Sequence, residues 1–226
     1  MCGRFSLNAD PTELQRLIPD LIVDQDLVAR YNIAPSQAVA VVLNQTIRQL
    51  SYVQWGLVPH WAADAKIGNK MINARAETVH EKPSFRSAFK SKRCLILADG
   101  FYEWQSPPDK GSKIPVYFRM SDGKPFAFAG LWESWQGGGS EPLHSCCIIT
   151  TNANELVSTA HHRMPVILPP AHFDLWLQPG MVDAGELQSM LTPYPTELMQ
   201  AHEVSTQVNN VRNDGADLVL PLLGVA

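Results

Sequence analysis

Short apolar runs separated by polar turns make up the chain, and the spacing of the apolar positions switches repeatedly between helical and extended periods. Asp10-Pro11-Thr12-Glu13 offers an N-cap side chain, a proline at the first helical position and an acid at the third. Leu14, Leu17 and Ile18 follow at helical spacing, which predicts a first helix over roughly residues 11–18. Tyr31 to Ser36 reads as an extended segment ending in a turn. Residues 38–43 and 46–55 are β-rich runs around Asn44-Gln45 and predict a hairpin, after which Gly56 to Trp61 breaks into a loop. Residues 73–79 and 83–89 are short helical candidates, the second opened by Pro83. Arg93 to Ala98 is a continuous apolar run, the pattern of a strand buried on both faces, and it feeds directly into Asp99-Gly100-Phe101-Tyr102-Glu103-Trp104. Further strands are predicted at 114–119, 126–131 and 144–150, with a flexible surface loop at 137–140. The C-terminal third predicts a helix over 170–177, with Phe173, Trp176 and Leu177 on one face. A second helix starts at Asp183, with Glu186 at its third position and Leu187, Met190 and Leu191 facing inward.

Strands and helices do not alternate as βαβ units, no repeat is visible, and neither a GxGxxG nor a P-loop occurs. The expected class is therefore α+β: a single domain over residues 1–226 with a largely antiparallel, curved or barrel-like β core flanked by short helices. A hydrophobic fraction of 45% and a charged fraction of 18% are those of a soluble globular protein. No apolar run approaches the ~18 residues that span a bilayer, and the N-terminus lacks the basic and apolar regions of a signal peptide. A cytoplasmic protein with no membrane partner is expected, with monomer as the default state.

Of the four cysteines (Cys2, Cys94, Cys146 and Cys147) none forms a CxxC, and adjacent Cys146 and Cys147 point to opposite faces of a strand. The seven histidines show no HExxH or similar spacing, so no metal and no cofactor is expected. The net charge of −4 argues against a generic phosphate-binding surface; any nucleic-acid contact must come from a local cluster of Arg and Lys.

Chemistry concentrates at the first five residues, Met1-Cys2-Gly3-Arg4-Phe5. Removal of Met1 would leave Cys2 with an α-amine and a thiol on adjacent carbons. An aldehyde meeting that pair forms a Schiff base and then closes through sulfur to a thiazolidine, whereas an amide or ester is attacked by the thiolate. Gly3 permits close backbone approach, and Arg4 is expected to set a permanent cation beside the thiol. Three later stretches gather polar groups. Asn73-Ala74-Arg75-Ala76-Glu77-Thr78 offers an amide, a guanidinium and a carboxylate, and also reads as an exposed, charged helix start. In Gly100 to Trp104 a lone carboxylate, Glu103, sits among aromatics; it is either desolvated, with a raised pKa suited to proton transfer, or an edge group in water. His161-His162-Arg163-Met164-Pro165-Val166, preceded by Thr150-Thr151-Asn152, sets an imidazole beside a guanidinium.

These motifs, MCGRF, NARAET, DGFYEW and HHRMPVIL in that order, together with YNIAPSQ and WGLVPHW, resemble the SRAP family, the SOS-response-associated peptidases also described as abasic-site-processing proteins. The resemblance covers nearly the whole chain and implies a sensor and shield that couples covalently to abasic sites in single-stranded DNA, nucleoid-associated when bound. By carry-over, Cys2 forms the thiazolidine, Asn73 hydrogen-bonds the cysteine or sugar, and Glu103 positions the amine and shuttles protons. His161, rather than its neighbour His162, assists sugar-ring opening. Arg4, Arg75 and Arg163 are the implied phosphate contacts, with a hydroxyl from Thr150 or Thr151; Trp104 and the Trp55 to Trp61 segment are candidates to stack on bases, and the loop at Pro35 is expected near the DNA. Self-removal of Met1 would account for a peptidase activity, and β-elimination from the Schiff base for a lyase activity. Three other readings stand beside this one: a non-covalent DNA-damage-binding module with Cys2 incidental, an N-terminal-nucleophile cysteine amidohydrolase, and an intermolecular protease.

Overall fold

The computed structural model describes residues 2–107, 109, 111–137 and 139–222; Met1 of the first motif and Gly138 of the glycine loop lie outside the described residues. In chain order the elements are β1 (Phe5–Leu7), α1 (Pro11–Leu17), β2 (Arg30–Ile33), β3 (Ala38–Leu43), β4 (Leu50–Trp55), β5 (Asn73–Arg75), α2 (Arg86–Ser91), β6 (Arg93–Ala98) and β7 (Gly100–Gln105). They continue as β8 (Ile114–Met120), β9 (Phe126–Trp135), β10 (Leu143–Asn152), α3 (Glu155–Ser158), β11 (Arg163–Pro165), β12 (Ile167–Leu168), α4 (Phe173–Trp176), α5 (Ala184–Ser189) and β13 (Met199–Glu203).

Five strands close on themselves: β10 pairs with β4, β4 with β3, β3 with β6, β6 with β9, and β9 again with β10. Closure leaves no free edge within the ring. The apolar run Arg93–Ala98 forms β6, and all six of its residues are buried, as a strand covered on both faces requires. Cys146 and Cys147 point to opposite faces of β10 and are both buried, and the four cysteines are free thiols. The α+β, largely antiparallel barrel is the expected architecture; the exceptions are the parallel pairings of β10 with β4 and with β5.

A second sheet, ordered β13-β8-β7-β1-β2, packs beside the barrel. Aromatic rings join the two. Phe5 of β1 and Phe101 of β7 meet Phe128 of β9 with ring centroids 5.7 and 6.1 Å apart, and Phe5 also meets Trp55 at 5.1 Å. Each such ring, fully buried, contributes about 1.5–3 kcal/mol through removal from water.

Several boundaries differ from the sequence reading. Residues 73–79 are not helical: Asn73–Arg75 is a strand, followed by turns. Ala74 and Ala76 point inward at a period of two, and the backbone is taken up by β10, with Ala76 N–H donating to Thr150 O at 2.8 Å. The helix expected from Pro83 begins at Arg86, after a run of turns, and β4 begins at Leu50, which makes the hairpin loop longer. The stretch 170–177 divides into a 3₁₀ turn, Pro170–His172, and α4. The capping box of α1 is present, with Asp10 and Glu13 each accepting from the other's backbone N–H, and Asp183 caps α5. Among the described residues no helix is long and apolar enough to cross a membrane.

Candidate active site at the seam of the two sheets

Cys2 lies just ahead of β1, three residues from the Phe5 ring that pins this end of the chain to the barrel. Its side chain is fully buried. Its carbonyl accepts a hydrogen bond from Asn73 Nδ2 at 2.8 Å, so the first residue of β5 reaches from the barrel to the second sheet. β10 holds β5 for this purpose, pairing Ile148 with Asn73 in parallel register. Asn73 Oδ1 is buried without a hydrogen-bond partner among the described residues. A buried orphan acceptor costs about 1–3 kcal/mol and is a natural place for a ligand's donor.

Glu103 sits on β7 opposite Val116 and is 4% exposed. Burial raises its pKa, and the Lys113 charge and the Trp104 backbone N–H oppose that shift. Burial also pushes the Cys2 thiol far above its ordinary value, and the Glu103 charge pushes it further. The thiol is therefore protonated at neutral pH, with a carboxylate of raised basicity within electrostatic reach. His161 follows α3 and is half-buried; its Nδ1 accepts from Arg163 N–H at 2.9 Å, which selects the neutral tautomer with the proton on Nε2. Desolvation lowers its pKa, and the charges of His162 and Lys113 act in the same direction. His162 stacks on His161 at 4.4 Å and is exposed. Among the described residues no group of three or more His, Cys, Asp or Glu is arranged to hold a metal.

The residues expected to meet phosphate divide sharply. Arg75 is exposed at the end of β5. Arg4 is half-buried, donates through one Nη to Asn32 Oδ1 at 2.6 Å and Val208 O at 2.7 Å, and lies 5.7 Å from the Trp104 ring centroid. It is not the cation beside the thiol that the sequence suggested: the Arg4 group near Cys2 Sγ is its carbonyl, at 4.0 Å, because the side chain is drawn to Asn32. Thr150 is fully buried and its hydroxyl donates to Ala74 O at 3.4 Å, so it serves the β5–β10 seam and does not reach a phosphate in this conformation; Thr151 is buried too. Arg163 has 7% side-chain exposure. Its fork donates to both Glu77 oxygens, at 2.6 and 2.9 Å, and also to Asn152 Oδ1 and Thr150 O. A phosphate approaching here meets Glu77 first. Of the tryptophans, Trp55 is core, its indole N–H on Ile72 O, whereas Trp61 is 53% exposed. Trp104 is half-buried and donates to Asn209 Oδ1 at 2.7 Å. The turn at Pro35 is real, with Ser36 at φ +71° and its hydroxyl donating to Asn69 Oδ1.

Asn32, Asn209 and the pairing of Glu77 were missed. Asn32 and Glu77 lie inside the quoted motifs YNIAPSQ and NARAET, so a signal existed, but the partners that define them are 176 and 86 residues away in sequence.

A closed five-stranded barrel with an attached sheet, and a buried cysteine whose carbonyl is held by Asn73 and whose thiol lies in the field of Glu103, defines a mixed-barrel α+β protein. Residues 1–211 match the model of the SOS response associated peptidase (SRAP) family, and the chain belongs to that family. It is 45% identical over 225 residues to abasic site processing protein YoqW of Bacillus subtilis (strain 168), covering 97% of this chain and 99% of that protein. It is 32% identical over 270 residues to abasic site processing protein HMCES of Gallus gallus, covering 100% of this chain and 79% of that protein. An X-ray crystal structure of a protein from Bacteroides thetaiotaomicron matches with a TM-score of 0.86 at 28% identity, covering 98% of this chain and all of that one.

Proposed function

We propose that this protein recognises abasic sites in single-stranded DNA and links itself to them through Cys2. The observation that supports the reading best is the meeting of Cys2, Asn73 and Glu103 at one buried seam, in a chain whose relatives are named abasic site processing proteins. Removal of Met1, by Cys2 itself or by an aminopeptidase, gives Cys2 a free amine. The ring-opened abasic sugar carries an aldehyde at C1′. The amine adds to C1′, water leaves, and a Schiff base forms. The thiol then adds to the same carbon and its proton passes to nitrogen, so that amine, thiol and aldehyde become a thiazolidine plus one water. Glu103 is the group to carry these protons, since its raised pKa brings it nearer to working pH. The Nε2–H of neutral His161 is the donor to the sugar oxygen during ring opening. Asn73 holds the Cys2 carbonyl and offers Oδ1 to the new secondary amine. Sulfur closure competes with β-elimination, so lyase activity is the side reaction of a slow closure. Arg75 and Arg4 face the phosphates.

The test is a denaturing gel with intact mass on protein mixed with uracil-excised single-stranded DNA, wild type beside Cys2→Ala, with an undamaged oligonucleotide as control. A heat-stable adduct is expected only from wild type lacking Met1 and only with abasic DNA. The full burial of Cys2 favours a rival, a non-covalent binder with Cys2 incidental. Retained binding and no adduct from protein without Met1 would establish that rival.

A further inference from the structure

The YNIAPSQ motif has no part in the chemistry above, yet Asn32 within it is fully buried and every polar atom of its side chain is engaged. Its Oδ1 accepts from Arg4 Nη1 at 2.6 Å. Its Nδ2 faces the carbonyls of Val208, Asn210 and Asn213 at 3.2, 3.1 and 2.7 Å. Asp214 closes the same loop from its far end, accepting the backbone N–H of both Tyr31 and Asn32 and pairing with Arg30. The loop in turn holds the two groups that face the ligand. Val208 O takes the second proton of Arg4 Nη1, and Asn209 Oδ1 takes the Trp104 indole N–H. Arg4 and Trp104 also lie against each other.

We propose that Asn32 is a positioning residue for strand binding, resting on the nucleic-acid reading given above. It fixes the guanidinium plane of Arg4 directly and fixes Trp104 through the 208–213 loop. With both protons of Nη1 committed to Asn32 and Val208, and Nε buried without a hydrogen-bond partner among the described residues, Nη2 is the donor left for a phosphate, in one orientation only. A buried amide suits this task better than a carboxylate, because the loop presents three carbonyls that require a donor. The occupant recognised is the sugar-phosphate backbone next to the reacting sugar, with one base against Trp104.

The experiment measures affinity for an undamaged single strand as a function of salt, and crosslinking rate against abasic-DNA concentration, for wild type, Asn32→Ala, Arg4→Ala and the double variant. Asn32→Ala is expected to weaken binding about 5- to 10-fold and to flatten the salt slope by about 0.7, the share of one phosphate on a single strand. The DNA concentration for half-maximal crosslinking should rise by the same factor, with the maximal rate falling much less. In the Arg4→Ala background the same substitution should cost only the roughly 2- to 3-fold share that passes through Trp104. Additive losses, or an affinity unchanged by Asn32→Ala, would overturn the proposal. Should Asn32→Ala fail to fold, Asn209→Ala in a cycle with Trp104→Ala applies the same criterion at an exposed position: about 2- to 3-fold and non-additive is expected, and additivity overturns it. Wild type that binds no single strand in a salt-sensitive way would instead remove the nucleic-acid reading itself, a result distinct from wild-type binding with Asn32 silent.

Discussion

Two regions of this protein, an open groove and the seam between the sheets, differ in chemistry. A groove of about 1040 Å³ lies between α1, the β3–β4 connection, the β8–β9 turn and the Pro170–Asp174 stretch. Its charges come in both signs (Arg16, Arg48 and Lys124 against Glu13, Asp20 and Asp174), and Arg48 pairs with Asp174 at the surface. The seam between the sheets contributes no residue to that groove. There a thiol and a carboxylate are both buried, the charge of one acting on the other, and an amide oxygen lacks a partner among the described residues. Volume measures room; reactivity requires titratable groups that the fold has moved away from their resting state. The groove has room, and the seam has perturbed groups.

The largest effect expected from breaking the seam is catalytic. Glu103→Gln should slow crosslinking about 10²- to 10⁴-fold, the usual span of a lost general acid–base, with strand affinity nearly intact. In wild type the rate should rise with pH through the raised Glu103 value, so that the acid limb lies above the ~4.3 of an ordinary glutamate. Single-turnover gels from pH 4 to 9 check both; a variant at wild-type rate would remove Glu103 from the mechanism. Next in size is the aromatic joint between the sheets. Phe128→Ala should cost about 3–5 kcal/mol in denaturant unfolding, because the ring is fully buried and touches Phe5, Phe101 and Phe126.

A smaller effect runs in the opposite direction. Glu103 binds its proton more tightly in the folded chain than in the unfolded one. Between the unfolded value near 4.3 and the raised folded value the native state therefore holds more protons, and stability falls as pH rises through that window. At pH 7 the ionised carboxylate costs stability, which Glu103→Gln should return as about 1 kcal/mol, or about 2–4 °C in melting temperature. The gain should vanish near pH 4. A variant that is slower yet more stable marks Glu103 as held for chemistry; one that is slower and less stable would make it a structural residue.

What could be read from the sequence follows the same division. The barrel was legible because its strands announce themselves locally: Arg93–Ala98 is apolar at every position but the first, and 114–119, 126–131 and 144–150 carry β-rich side chains. The short pieces were not. Asn73–Arg75 becomes a strand only because β10 lies alongside, and Met199–Glu203 because β8 does; neither partner is visible from three to five residues. At the site, the residue types at Cys2, Asn73, Glu103 and His161 could be named from motif order, but which arginine is open to a ligand could not. Arg4, Arg75 and Arg163 look alike in sequence, and their difference arises from Asn32, from solvent and from Glu77 respectively. Burial and long-range partners decide the state of a charge, and neither is a local property of the chain.

That difference sets the next prediction. Arg75→Ala should weaken binding of an undamaged single strand about 3- to 5-fold and flatten the salt slope by about 0.7, with no change in melting temperature, as for an exposed side chain that meets one phosphate. Fluorescence anisotropy from 50 to 300 mM salt reads both quantities. A loss of affinity that does not depend on salt would point to a base contact instead.

The smallest effect should come from the groove, and it tests the comparison most directly. Ile47, 60% exposed on the groove wall, can be exchanged for Ser and Arg16 for Ala without disturbing a buried contact, so stability should stay within about 0.5 kcal/mol. If the seam alone holds the chemistry, the double variant should crosslink abasic DNA within about twofold of wild type at every salt concentration. A larger loss confined to low salt would show that the groove's cations steer the strand toward the seam. A loss that persists at high salt would mean that the strand itself enters the groove, and the two regions would then be parts of one surface.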